Sequence, residues 1–387
     1  MEFNSSAVNP KQQSETIRFI VIRKSHYSEG CYSEKIYRKS QSYQDLIWNG
    51  QNTSRILLEQ MTEVSNVEYF DSIGTIINSV TQNSGPVVNC DNESFEIIKP
   101  HCSDKIIVED ITHHFNSIEI IKNANLIENY RKSVEIASNA LIKCMKKSTE
   151  EFTNEIELDE EFAYQCSKSG AECLAYPPVV ASGSNSTAIH YLRKTDKMIN
   201  GDLILMDAGC RFGGACSDLT RTWPKNKKFT EKQACVYQIV LDAQKLCFEM
   251  LSSSKDVTLR QLMVSTLYLI GKQMCESNIV KKTVYSFKEL VQIGQRYCPH
   301  HIGHHIGNYL HDCHKIFGSD DIVLGNNMCF TIEPGIYIQK DDEQVNPEFR
   351  GIGIRIEDCC LINDNGEFEV LSKRVPREIK DIEQFLS

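Results

Sequence analysis

Leu203-Ile-Leu-Met-Asp-Ala-Gly-Cys-Arg-Phe-Gly-Gly-Ala-Cys-Ser-Asp-Leu-Thr-Arg-Thr-Trp223 sets two apolar-rich stretches around Phe212-Gly213-Gly214. Strands over Leu203–Gly209 and Ala215–Trp223, joined by a glycine turn, are the expected outcome. With Phe212 and Gly213 at the turn centre, Asp207 lies opposite Asp218 on one sheet face. Directly opposed side chains are ~4.5–5.5 Å apart. Two carboxylates at that spacing repel unless a cation lies between them. One Asp alone is as well explained by a turn or by solvent. Two opposed acids within strands rich in Leu, Ile, Met and Ala are not.

Three further stretches carry the same kind of chemistry. Cys298-Pro-His-His-Ile-Gly-His-His-Ile-Gly307 precedes His311-Asp312, and six of the eleven histidines fall between 300 and 314. A lone His is usually a satisfied core or surface residue; this density argues for a metal or proton-transfer site. Phe330-Thr-Ile-Glu-Pro-Gly-Ile-Tyr337 and Arg350-Gly-Ile-Gly-Ile-Arg-Ile-Glu-Asp358 place Glu333 and Glu357 among apolar strand residues. An unpaired carboxylate is costly there. Taken singly, each Glu is equally well read as half of a buried salt bridge, for example to Arg355. Taken together, Asp207, Asp218, Glu333 and Glu357 bring four negative charges, which two divalent cations neutralise. A neutral imidazole, His304, fills a remaining position. Oxygen-rich ligation with one imidazole favours Mn2+, with Co2+ or Zn2+ as alternatives, over a thiolate zinc site. Two such ions can share a water and lower its pKa toward neutrality.

The chain of 387 residues suggests two domains. A net charge of −10 argues against a phosphate-backbone binder, so no nucleic-acid partner is expected. Apolar runs such as Phe19–Ile22 and Leu203–Met206 are too short to span a bilayer, so no membrane association is expected. Met1–Ser14 is polar and does not read as a secretory signal, and Glu15 and Glu29 interrupt the basic residues that a mitochondrial presequence would need. The 16 cysteines then read as reduced thiols of an intracellular protein, and the sequons at Asn4, Asn52, Asn92 and Asn185 as chance matches.

Patterning sharpens along the chain. Arg18–Lys24 alternates like a strand, Ser25–Tyr43 is polar, and Ile76–Val80, Pro86–Val88 and Lys105–Val108 are short apolar segments of a weakly patterned α/β region. Ile127, Tyr130, Val134, Ala137, Leu141 and Cys144 lie on one face of a long helix. A second helix is expected near 155–169, a strand over Tyr176–Ala181, helices near 230–252 and 258–276, and strands over Met328–Glu333 and Gly353–Ile362. This order is that of an α+β fold.

The motifs LMDAG, SDLTRTW, PHHIGHHIG with its following HD, TIEPGIY and GIGIRIED resemble, in order and spacing, those of the pita-bread metallopeptidases. That group holds methionine aminopeptidases, prolidases and Xaa-Pro aminopeptidases. AYPPVVASGSN, YCPHHIGHHIGN, FRGIGIRIED and the closing KDIEQ are similar to the mitochondrial-type Xaa-Pro aminopeptidases. The resemblance implies a pita-bread (creatinase-like) catalytic domain over 116–387, preceded over 1–115 by an incomplete N-terminal α/β domain that is recognisable from about Leu46-Ile-Trp-Asn-Gly50 onward and matched poorly over 1–45. It implies Asp207, Asp218, His304, Glu333 and Glu357 as ligands of two divalent ions. His304 is preferred to its neighbours because it follows Ile-Gly and precedes His-Ile-Gly. Glu333 is also implied as general base, His190, His300 and His311 as active-site histidines, and Tyr176, Tyr337 and Arg355 as supports of the ligands.

The implied substrates are peptides with an N-terminal Xaa-Pro, the implied assembly is a homodimer, and the implied compartment is the mitochondrion, with cytoplasm as the alternative. A prolidase-type dipeptidase, a methionine aminopeptidase and a non-catalytic peptide-binding relative are the competing readings. Two positions depart from the pattern. Cys359 stands where relatives often carry Asp, for which a local packing change is expected. His305 stands where an aromatic or apolar residue is common.

Overall fold

A computed structural model describes residues 17–21, 33–39, 66–70, 87–90, 99–102, 104, 107–110 and 119–387, apart from 151, 282–285 and 313–318. The chain divides into two compact units, Met1–Asn116 and Ser117–Ser387. In the first, β1 (Ile17–Val21), β2 (Ser33–Lys39) and β3 (Asn66–Phe70) form a sheet in that order, with β1–β2 antiparallel and β2–β3 parallel. β4 (Val87–Cys90) pairs in parallel with β5 (Ile107–Asp110). The alternation at Arg18–Lys24 overlaps β1, and β2 lies inside the polar stretch that shows no strand pattern. Leu46–Gly50 and Ile76–Val80 lie outside the described residues.

The second unit opens with two packed helices, α1 (Ala124–Glu150) and α2 (Glu155–Lys168). The predicted apolar stripe of α1 is its buried face, with Tyr130, Val134, Ala137, Leu141 and Cys144 all closed to solvent. Asn154 and Glu157 form a capping box that starts α2. Glu155, at the first turn, is fully buried. Its Oε1 accepts from Ser182 N–H (2.8 Å), Ser182 Oγ (2.9 Å) and Asn185 Nδ2 (3.1 Å), while Oε2 accepts from Tyr191 Oη (2.9 Å) and Asp196 N–H (3.2 Å). Donors on both oxygens make a buried carboxylate tolerable. They also tie the segment carrying His190 to the helix start. The amide Asn185 Nδ2 is engaged here and at Asp196.

Next come β6 (Cys173–Leu174), β7 (Val179–Ser182), β8 (Leu203–Ala208), β9 (Cys210–Phe212), β10 (Ala215–Cys216) and β11 (Leu219–Pro224). Strand β8 lies between β7 and β11, antiparallel to both. The hairpin register differs from expectation by two residues. Phe212 faces Ala215, so Gly213-Gly214 is the turn centre and Asp207 faces Thr220 rather than Asp218. Both glycines have positive φ (+57° and +81°), as a two-residue I′ turn requires. Phenylalanine is a poor occupant of such a position. A slip of two, unlike a slip of one, keeps every side chain on its face, so Asp207 and Asp218 still share one.

The helices α3 (Glu231–Ser253) and α4 (Leu259–Glu276) start at capping boxes built on Thr230 and Thr258. α5 (Phe287–Tyr297), unmarked in the sequence reading, begins at Ser286 and packs on α4. β12 (Met328–Ile332), β13 (Gly335–Tyr337), β14 (Gly353–Arg355), β15 (Asp358–Ile362), β16 (Phe368–Val370) and α6 (Ile379–Leu386) complete the chain. The strands β12, β15 and β16 form one sheet in the order β12-β15-β16, and β13 pairs with β14; isolated bridges link Thr220 of β11 to Glu357, before β15, and His305 to Phe330 of β12. Among the described residues no helix is long and apolar enough to cross a membrane. Cysteines whose side chains are described, Cys359 and Cys360 included, are free thiols.

Arg221 locks β11 to the strands beyond it. It is fully buried. It donates to the Glu357 carbonyl (2.6 Å), Asp358 Oδ1 (2.6 Å), the Pro376 carbonyl (3.1 Å) and the Val375 carbonyl (3.2 Å). Removing one partner of a buried pair strands the other charge, at about 3–5 kcal/mol. Arg221→Ala is therefore expected to lower stability by about that amount in a denaturant melt, because Asp358 keeps only Arg377 and Ser372. A loss below about 1 kcal/mol would show that the pair does not hold these strands together.

Candidate metal centre

Four parts of the second unit converge on one small volume. Asp207 comes from β8, Asp218 from the break between β10 and β11, Glu333 from the residue after β12, and Glu357 from the residue before β15. His304 stands on the loop that β12 holds through Thr331 N–H to the His304 carbonyl (2.9 Å). The break at Asp218 follows from glycine: a Cβ on Gly209 would sit 1.8 Å from the Ser217 carbonyl oxygen. Only glycine lets the two chains close there, and that closeness brings both aspartates to one phenol. Tyr176 Oη is 2.5 Å from Asp207 Oδ1 and also contacts Asp218 Oδ1. One phenolic proton cannot serve both at once.

Hydroxyls and one guanidinium hold the acids from behind. Arg355, 2% exposed, donates from Nη2 to Asp207 Oδ2 (2.8 Å), from Nε to Thr220 Oγ1 (3.0 Å) and from Nη1 to Tyr337 Oη (2.8 Å). Its ion pair is thus with Asp207, not with Glu333 or Glu357 as the salt-bridge reading supposed. Thr220 Oγ1 donates on to Glu357 Oε2 (2.7 Å), and Thr331 Oγ1 to Glu333 Oε1 (3.2 Å). Tyr337 Oη is 2.9 Å from His300 Nε2, and His300 Nδ1 is 2.7 Å from the His301 carbonyl. A carbonyl only accepts, so the His300 proton is on Nδ1 and Nε2 accepts from the phenol. The same logic places the His304 proton on Nδ1, 3.0 Å from the His305 carbonyl.

His304 Nε2 therefore faces the acids, 3.4 Å from Asp218 Oδ2 and 3.4 Å from Glu333 Oε1. Ligand atoms of Asp218, His304 and Glu357 lie within 4.8 Å of one another. A separation of 3.4 Å is long for a hydrogen bond. It matches the edge between neighbouring ligands that each stand about 2.1 Å from a metal. Electrostatics agrees with the donor set. Burial, partly offset by Arg355 and reinforced by Asp218, pushes Asp207 up to about 6. Burial pushes Glu333 up to about 7, and burial with the neighbouring acids drives Glu357 well above the carboxylate range. Burial opposes charge on His304, but Asp218 and Glu333 outweigh it and raise its pKa to about 9. The acids cannot all ionise on their own, and oxygen donors with one imidazole suit divalent cations.

The remaining sequence candidates surround this cluster. His311 sets its ring edge-on to His304, centroids 4.5 Å apart. His300 Nδ1 is 3.9 Å from Glu333 Oε2, and burial, then Arg355, depress its pKa to about 4. His190 is exposed on the segment anchored by Glu155. His305 is 3% exposed and sits at the bridge to Phe330. Sequence reasoning missed Thr220 and Thr331. Both are uncharged, and their one signal is position: Thr220 lies two residues past Asp218 on the same strand face, and Thr331 two before Glu333.

Residues 128–364 match metallopeptidase family M24. The chain is 34% identical over 285 residues to Xaa-Pro aminopeptidase 3 of Rattus norvegicus, covering 72% of this chain and 54% of the relative. It is 36% identical over 281 residues to the mitochondrial intermediate cleaving peptidase 55 of Arabidopsis thaliana, covering 72% and 53%. The chain thus spans about half the length of these curated relatives. Among solved structures, proline aminopeptidase P II from Yersinia pestis superposes with a TM-score of 0.79 at 26% identity, over 92% of this chain and 84% of that one. The α+β, pita-bread expectation holds, and the chain belongs to metallopeptidase family M24.

Proposed function

We propose that the protein is a dinuclear-metal aminopeptidase that hydrolyses the bond between an N-terminal residue and a following proline. The observation that carries this reading is the convergence of Asp218, His304 and Glu357 within 4.8 Å, with Glu333 beside His304 and Asp207 beside Asp218. In this reading Asp207, Asp218, His304, Glu333 and Glu357 hold two divalent cations, Mn2+ by preference given the oxygen-rich set. When bound, such a pair supplies Lewis acidity and lowers the pKa of water to near neutrality.

The chain's own groups do the rest. Glu333, whose burial raises its pKa to about 7, is suited to take a proton from the attacking water and return it to the prolyl nitrogen. His311, whose ring packs on His304, and His190 are assigned as donors to the oxyanion that develops on the carbonyl before proline. His300 is kept neutral by burial and oriented by Tyr337. Arg355, Thr220 and Thr331 hold the acids in place. A prolyl amide has no N–H and a fixed φ, so peptides that carry it are poorly bound by peptidases that rely on that N–H. The names of the rat and Arabidopsis relatives support an Xaa-Pro substrate and a mitochondrial site of action.

Three outcomes are expected. With Mn2+ supplied, Gly-Pro-Pro is cleaved faster than Gly-Pro or Met-Ala-Ser, and a chelator stops the reaction. Preference for Gly-Pro would instead point to a prolidase-type dipeptidase. Glu333→Gln lowers kcat on that tripeptide by about 10²–10⁴-fold; activity near wild type with metal retained would remove Glu333 from its role. Finally, cation binding releases protons. Asp207 and Glu333 have pKa values raised to about 6 and about 7, so as pH falls from 7 toward 5 the metal-free acids take up protons that an ion must displace. Mn2+ affinity should rise with pH from 5 to 8, and calorimetry in buffers of different ionisation enthalpy should detect the released protons. Binding without pH dependence over that range would contradict the shifts.

A further inference from the structure

The Cys359 thiol is fully buried and touches the backbone of Asp218 twice. Its sulfur accepts from Asp218 N–H at 3.3 Å and donates to the Asp218 carbonyl at 3.1 Å. Asp218 lies in the break between β10 and β11, where Gly209 brings the chains too close for regular pairing. Backbone groups leaving a ladder need partners when buried, and a neutral thiol offers both a donor and an acceptor. Cys359 is itself fixed: its N–H donates to Ser372 Oγ (3.1 Å) and its strand β15 is paired on both sides.

We infer that Cys359 is a positioning residue for the metal centre: its thiol clamps the Asp218 peptide groups and so aims the Asp218 carboxylate at His304. The contact is specific to the chemistry of the side chain. Alanine leaves the thiol's space empty, valine fills it, and neither offers a hydrogen bond. Serine offers both, on a shorter bond. The inference rests on Asp218 being a metal ligand, as proposed above. It assigns a position that the pattern of acids and histidines leaves without a role.

The test compares Mn2+ affinity, by calorimetry on metal-free protein, for wild type, Cys359→Ala, Cys359→Ser and a control, Cys144→Ala. Cys144 is equally buried, on α1, with its thiol bonded to the Leu158 carbonyl. Loss of a residue that orients a ligand weakens metal binding about 10–100-fold. C359A should fall in that range, C359S should recover most of the affinity, and C144A should bind as wild type does. If C359A does not fold, Cys359→Val replaces it. Wild-type affinity in C359A or C359V, or an equal loss in C144A, overturns the inference while leaving the metal site intact. A wild-type protein that binds no Mn2+ overturns the metal reading itself, and the inference with it.

Discussion

Four carboxylates share one partly closed volume, and they cannot all be charged there unless cations join them. That electrostatic constraint organises the second unit. Arg355 compensates one acid, Asp207. His304 faces Asp218 and Glu333, and the remaining supports are hydroxyls: Thr220 on Glu357, Thr331 on Glu333, Tyr176 between the two aspartates. Hydroxyls orient a carboxylate without cancelling its charge. Among the described residues the arrangement therefore leaves several negative charges uncompensated, and the raised pKa values of Asp207, Glu333 and Glu357 are the measure of it. A protein built for stability alone has no reason to keep such a cluster.

The framework concentrates rigidity where the acids emerge. Asp218, Glu333 and Glu357 each occupy a residue just outside a regular strand. Rigid anchors stand immediately beside them. Arg221 ties β11 to the Glu357 backbone, Gly209 closes the hairpin against Ser217, and Cys359 holds the Asp218 peptide groups. Glu155 does the same at longer range for the segment bearing His190. Precision of this kind is what a two-ion site requires of its protein.

Much of this could be read from residues alone, because acids in apolar strands and histidines at high density are costly patterns that need a reason. The hairpin shows both the reach and the limit of such reading. Asp207 and Asp218 were assigned to one face, which survives, but to direct opposition, which does not. The missing consideration was the turn: both central residues of a two-residue I′ turn need positive φ, and only Gly213-Gly214 meets that demand. A salt bridge from Arg355 to either glutamate is the plain alternative that the sequence allows, whereas the side chain pairs with Asp207. Thr220, Thr331 and Cys359 were invisible or read as packing because neutral side chains leave no charge pattern, and their roles depend on contacts between strands far apart in the chain. The helix α5 went unmarked, though Ser286 with Glu289 supplies an N-cap at its start.

The proposed function requires two divalent cations among Asp207, Asp218, His304, Glu333 and Glu357. Anomalous diffraction from crystals of the Mn2+-loaded protein tests it most directly. The account predicts two anomalous peaks within one cluster, each within coordination distance of these side chains, with His304 Nε2 on one of them. A well-ordered, folded protein with no peak there, or with its manganese bound elsewhere, would contradict it.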